Sequence, residues 1–163
     1  MTLEAFLGLG SNMGDRKGHL EMAVRELRNL DPELRVSPVY ESAPLGGPDG
    51  QERFLNCVVR LETSLSPGQL LATANRVEQL AGRVRTVRNG PRSLDVDVLL
   101  VGDLNVREPD LVVPHPRMYE RGFVLAPLED LDASRVPKGW RARLAATDPV
   151  SVELHMVGRL GEN

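Results

Sequence analysis

The chain has 163 residues, a length that suits one domain with one core. Its 41% hydrophobic and 26% charged residues are ordinary for a globular protein, and a net charge of −3 argues against generic attraction to nucleic acid or an anionic membrane surface. A single cysteine excludes an internal disulfide framework, and no apolar run reaches the roughly 18 residues of a membrane span.

Ala5 to Leu9 reads as a strand that runs into the turn Gly8-Leu9-Gly10-Ser11-Asn12. The start, Met1-Thr2-Leu3-Glu4, lacks the basic segment of a signal peptide, so a reduced, cytoplasmic compartment is expected. From Asp15 the period becomes helical: Leu20, Ala23, Val24, Leu27 and Leu30 share a face, with a cap near Asp15 and an end before Pro32. Leu34 to Tyr40 reads as an edge strand interrupted by Pro38. Pro44 to Gly50, rich in glycine and proline, is a loop. Phe54 to Leu61 is a strand, and its Cys57 reads as a small buried thiol. Ser66-Pro67-Gly68-Gln69 has the spacing of a capping box with proline at the first helical position. The helix that follows turns Leu70, Leu71, Ala74, Val77 and Ala81 inward and stops at Gly82. Leu94 to Val101 is a further strand, which Gly102-Asp103 is expected to fold into a hairpin with Leu104 to Val106. Beyond it, Arg121 to Leu131 is partly helical and Ser151 to Val157 alternates like a strand. The order strand, helix, strand, strand, helix, strand is that of an α+β, ferredoxin-like split βαβ fold. It implies an antiparallel sheet with helices packed on one face.

The chemistry concentrates in Gly90-Pro91-Arg92-Ser93-Leu94-Asp95-Val96-Asp97. Strand alternation puts Asp95 and Asp97 on one face, their Cα atoms roughly 6.6 Å apart, and Leu94, Val96 and Val98 on the other. Such a pair can converge on two divalent ions, and oxygen ligands favour magnesium or manganese over zinc. It is equally the pattern of a strand with a solvated polar side. Arg83, Arg85, Arg88 and Arg92 stand just before it. Guanidinium groups grip phosphate oxygens, so acids beside arginines describe a place for a metal-bound polyphosphate; surface pairing of the two sets is the alternative. Prolines on either side hold His115 in Val113-Pro114-His115-Pro116-Arg117, near Arg121-Gly122-Phe123. A nucleic-acid module on the same fold would need aromatic residues on its central strands. A phosphohydrolase using the same acids would need no acceptor pocket.

Together these residues resemble the 6-hydroxymethyl-7,8-dihydropterin pyrophosphokinase family of folate biosynthesis. The family signature, Gly-Pro-Arg, two residues, then Asp-hydrophobic-Asp, is complete at residues 90–97. Leu9-Gly10-Ser11-Asn12 with Gly14-Asp15, Tyr40 through Leu45, Phe54-Leu55-Asn56, Gly82-Arg83-Val84-Arg85 and the His115 and Arg121 segments continue the match in order. The resemblance covers residues 3 to 131 or so of a single domain 1–163, leaving 132–163 as a C-terminal extension. It implies transfer of diphosphate from ATP to the pterin hydroxymethyl group, giving AMP, with a monomer expected. It further implies that Asp95 and Asp97 ligate two magnesium ions and act with Arg83 and Arg92 in catalysis. Glu78, Arg83, Arg85, Arg88, Arg92, His115 and Arg121 would contact ATP. Ser42, Ala43, Leu45, Phe54, Asn56 and Phe123 would hold the pterin. Loops 44–50 and 83–92 would be lids. Asn89 and Thr86 stand where many relatives carry an aromatic residue and a lysine.

Overall fold

Alternation along the first strand divides the molecule into two cores. In β1 (Leu3–Ser11), Ala5, Leu7 and Leu9 join one apolar cluster, while Phe6 enters a second on the opposite face. The computed structural model describes residues 1–44, 49–82 and 91–161. Helix α1 (Arg16–Leu27) is capped by Asp15, whose carboxylate accepts the Gly18 N–H at 3.0 Å. Its Leu20, Ala23, Val24 and Leu27 are buried in the first cluster.

The expected strand at 34–40 is two strands, β2 (Arg35–Val36) and β3 (Val39–Ser42). Ser37 causes the break. Its N–H donates to the Val58 carbonyl at 2.9 Å, and its hydroxyl, not a backbone carbonyl, receives the Val58 N–H at 2.9 Å. Pro38 has no N–H with which to resume the ladder. β4 (Phe54–Thr63) sends Leu55, Cys57, Val59 and Leu61 to the first cluster and Val58 to the second. Helix α2 (Pro67–Leu80) opens with the expected reciprocal Ser66–Gln69 capping box, and Gly82, at φ +70°, follows its end.

β5 (Asp95–Val101) pairs with β1 through a bulge: Leu7 faces Val98 and Phe6 faces Leu100, so Leu99 is extra. Leu99 and Leu100 therefore both enter the second cluster, and Val101 returns to the first. The hairpin expected after β5 does not form. Gly102 (φ +52°) donates to the Glu4 carbonyl at 2.7 Å, the Leu104 N–H closes a turn on Val101, and the Leu99 carbonyl on the open edge takes the His115 N–H at 2.9 Å. The hairpin is instead β6 (Val106–Glu108) with β7 (Leu111–Val113).

After it come α3 (Gly122–Leu131), α4 (Trp140–Thr147) and β8 (His155–Gly158). The strand expected from Ser151 starts later because residues 149–152 form a 3₁₀ turn. Among the described residues the main sheet runs β5-β1-β4-β3-β8 with β2 beside β4, all antiparallel. Helices α1 and α2 share one face, as expected. The other face carries α3 and α4, through Val124, Leu125, Leu128, Trp140 and Leu144. Among the described residues no helix is long and apolar enough to cross a membrane.

The 149–152 turn presses on the start of α3: a Cβ on Gly122 would lie 2.0 Å from the Ser151 carbonyl oxygen. Gly122→Ala is therefore expected to cost about 1–3 kcal/mol of stability, read as a lower urea midpoint. An unchanged midpoint would mean that this turn does not pack there.

Candidate active site

The second face of the sheet is apolar under α3 but bare further along, because β1 places Gly8 and Gly10 there, after Phe6. Gly8 pairs with Asp97 on one side and Val58 on the other; Gly10 pairs with Asp95 and Asn56. With no side chains on the middle strand, the acids of β5 and the amide of β4 look across an open floor. A Cβ on Gly10 would come within 3.0 Å of Asn56 Oδ1 and 3.5 Å of the Phe54 ring. The cavity above this floor has a volume of about 820 Å³.

Its centre is charged. Asp95 and Asp97 project into it while Leu94, Val96 and Val98 are buried in the first cluster. Arg92 Nη1 binds Asp95 Oδ2 at 2.8 Å, and Arg121 Nη1 stands 3.9 Å from Asp97 Oδ2. Arg121 also lies over the Phe123 ring, 5.6 Å from its centroid. Burial holds the His115 pKa below the ordinary imidazole value although Asp97 opposes the shift. Its Nδ1 accepts the Arg117 N–H at 3.2 Å, so the neutral ring carries its proton on Nε2 as a donor.

One end of the cavity is lined by Ser42, Ala43, Phe54, Asn56 and Phe123. Asn56 is buried and donates to Ser42 Oγ at 2.8 Å. Among the described residues this is the amide's one hydrogen bond. At the other end stand Leu71, Asn75 and Glu78 of α2 with Asp110, Leu111 and Val112 of the hairpin. Glu78 is buried, and its carboxylate accepts the Val96 N–H on the open edge of β5 at 2.9 Å. Leu45, Arg83, Arg85 and Arg88 lie outside the described residues, as do Thr86 and Asn89 and most of loops 44–50 and 83–92.

Gly8, Leu71, Asn75, Asp110 and Leu111 line the cavity in addition to the residues expected from the sequence. The glycine signal is present in the sequence: Gly8 and Gly10, alternating with Leu7 and Leu9, mark a strand face emptied of side chains. The far end had no such signal, since it forms only where α2 meets the β6–β7 hairpin.

The profile of the family 7,8-dihydro-6-hydroxymethylpterin-pyrophosphokinase matches residues 6–133. The chain belongs to this family. As a pyrophosphokinase of folate biosynthesis it has relatives named 2-amino-4-hydroxy-6-hydroxymethyldihydropteridine pyrophosphokinase. In Bacillus subtilis one is 44% identical over 92% of this chain and 89% of its own length. In Pseudomonas aeruginosa another is 43% identical over 85% and 87%. The pyrophosphokinase also matches part of a folate synthesis bifunctional protein of Pisum sativum, 44% identical over 78% of this chain and 25% of that one. In fold it is similar to Plasmodium falciparum HPPK-DHPS, with a TM-score of 0.65 at 14% identity, covering 92% of this chain. It spans 46% of that longer structure.

Cys57 lies beneath the floor of the pyrophosphokinase's cavity, 1% exposed, and burial pushes its thiol up to about 12. Below that pH the thiolate, which is the reactive species, stays unformed. A disulfide reagent at pH 8 is expected to leave the folded protein unlabelled and to label it promptly in denaturant. Rapid labelling without denaturant would place the thiol in contact with solvent.

Proposed function

We propose that this pyrophosphokinase works in the cytoplasm as a monomer. It transfers the terminal diphosphate of ATP to the hydroxymethyl oxygen of 6-hydroxymethyl-7,8-dihydropterin, giving the pterin diphosphate and AMP. One observation carries this reading: Asp95 and Asp97 open onto the same cavity as Asn56, across the bare floor at Gly8 and Gly10. A site with acids, arginines and a buried amide accommodates a metal-bound polyphosphate and a flat, hydrogen-bonding heterocycle together.

The pterin goes to the end lined by Phe54, Phe123, Asn56, Ser42 and Ala43, with Leu45 assigned there by resemblance. Two aromatic rings suit a flat ring, and the Asn56 amide offers donor and acceptor together. The adenine end is then Leu71, Asn75, Leu111 and Val112, with Glu78 beside it. Between the ends, Arg92 and Arg121 neutralise phosphate oxygens, and His115 donates from Nε2 without carrying charge. Arg83, Arg85 and Arg88 join the phosphate contacts by resemblance.

Two magnesium ions fit the residues present. Asp95 and Asp97 are hard oxygen ligands, and no cluster of three potential ligands is found among the described residues. Magnesium suits such a place, since it is usually held by one or two carboxylates together with substrate phosphates. When bound, it supplies charge neutralisation and a template for the triphosphate. The protein needs no strong base beside the hydroxyl, because a loose transition state asks little of the nucleophile. Its own contribution is alignment of the two substrates and fixed positive charge along the phosphates.

AMP release measured with ATP and magnesium, with and without the pterin, tests the reaction; pterin-independent hydrolysis would favour a phosphohydrolase. Asp95→Ala and Asp97→Ala are each expected to lower kcat/KM by roughly 10²–10³-fold or more, the scale of losing a charge-stabilising group, with folded circular dichroism retained. Near-normal turnover in either would remove the two-metal proposal. Asn56→Ala is expected to weaken pterin binding by about 1–3 kcal/mol while leaving nucleotide affinity unchanged. Equal loss for both substrates in titration calorimetry would contradict the placement of the pterin.

A further inference from the structure

The segment Gly10-Ser11-Asn12 is only partly accounted for by the site. Gly10 serves the floor, but Asn12 follows β1 and is 1% exposed. Its side-chain amide and its backbone N–H are nonetheless engaged. Nδ2 donates to Gln51 Oε1 at 3.0 Å and to the Glu52 carbonyl at 3.1 Å. Oδ1 accepts the Arg92 N–H at 2.8 Å, and the Asn12 N–H donates to the Arg92 carbonyl at 3.0 Å. Those partners lie about 40 and 80 positions away in the chain; Arg92 lines the cavity, while residues 51–52 stand just before the cavity-lining Phe54 and Asn56 of β4. Arg92 carries the guanidinium that reaches Asp95 at 2.8 Å. A buried amide that donates to one segment and accepts from the other holds both at a set separation, because leaving either half unpaired in the interior is costly.

We propose that Asn12 is a positioning residue. It buckles the segment before β4 to the Arg92 segment and so sets the distance between the pterin wall and the phosphate wall. It touches neither substrate. This rests on the function proposed above, and the amide chemistry suggests how to separate its two halves. In Asn12→Asp the acceptor for the Arg92 N–H survives, while the Nδ2 donor becomes an oxygen facing Gln51 Oε1 and the Glu52 carbonyl. In Asn12→Ala both halves are lost.

The test compares steady-state kinetics of the full chain and its two variants, with exchange of the Arg92 amide proton followed by NMR. Asn12→Asp is expected to raise KM for the pterin about tenfold, the scale of one lost buried hydrogen bond, with KM for ATP within about twofold and the Arg92 amide still protected. Asn12→Ala is expected to raise the pterin KM at least as much, to lower kcat and to lose that protection. A purely structural role would reduce the folded fraction, hence apparent kcat, in both variants and leave both KM values alone; that result overturns the proposal. So does an Arg92 amide that exchanges in Asn12→Ala as it does in the wild type. A wild type without pterin-dependent AMP release would sink the functional reading instead, and Arg92 exchange would still decide whether the buckle exists.

Discussion

The site depends on a missing pair of side chains. Gly8 and Gly10 lie in the middle of a sheet, where a strand would normally place two residues on each face. Any side chain at Gly10 would meet Asn56 and Phe54, and one at Gly8 would meet Leu99. Glycine weakens a strand, yet here β1 is held on both sides, by nine paired residues on β4 and by β5. The central strand thus tolerates its glycines, and their absence of side chains makes a floor on which acids and amide face one another.

Around that floor the charges are arranged in opposed pairs. Arg92 with Asp95 and Arg121 with Asp97 set cation against anion at the edge of a low-dielectric interior, where unpaired charge is expensive. Each pair joins groups that a metal-bound polyphosphate would engage separately, the arginine by its phosphates and the aspartate by its cations. The same residues therefore keep opposite charges balanced at the edge of the interior. Beside them, burial disfavours the protonated form of His115, and the Arg117 N–H takes its Nδ1.

The C-terminal extension is tied to this arrangement from behind. Its 149–152 turn lies against Gly122, between Arg121 and Phe123, and β8 pairs with β3, two strands from β1. Tyr40 of β3 donates a hydrogen bond to Asp130 of α3, and burial together with that bond pushes the phenol up to about 12. The helices that cover one half of the second face thereby also bound the open half.

Local patterns carried much of this in the residue order alone. The α1 stripe, the Asp15 cap, the Ser66 capping box and the alternation that puts Asp95 and Asp97 together need only neighbours a few positions away, so they could be read without a fold. The floor was half legible, as glycines in a strand. What the chain could not disclose were features made by distant partners. Ser37 breaks a strand because Val58 lies beside it; Gly102 turns away from a hairpin because Glu4 and His115 take the available edges; Asn12 joins two walls some 40 and 80 residues off. Sequence determined which chemistry was present, because side-chain identity and short periods suffice for that. Tertiary structure alone decided how far apart those groups stand, because separation across a sheet is set by register, bulge and hydrogen bonds between segments remote in the chain.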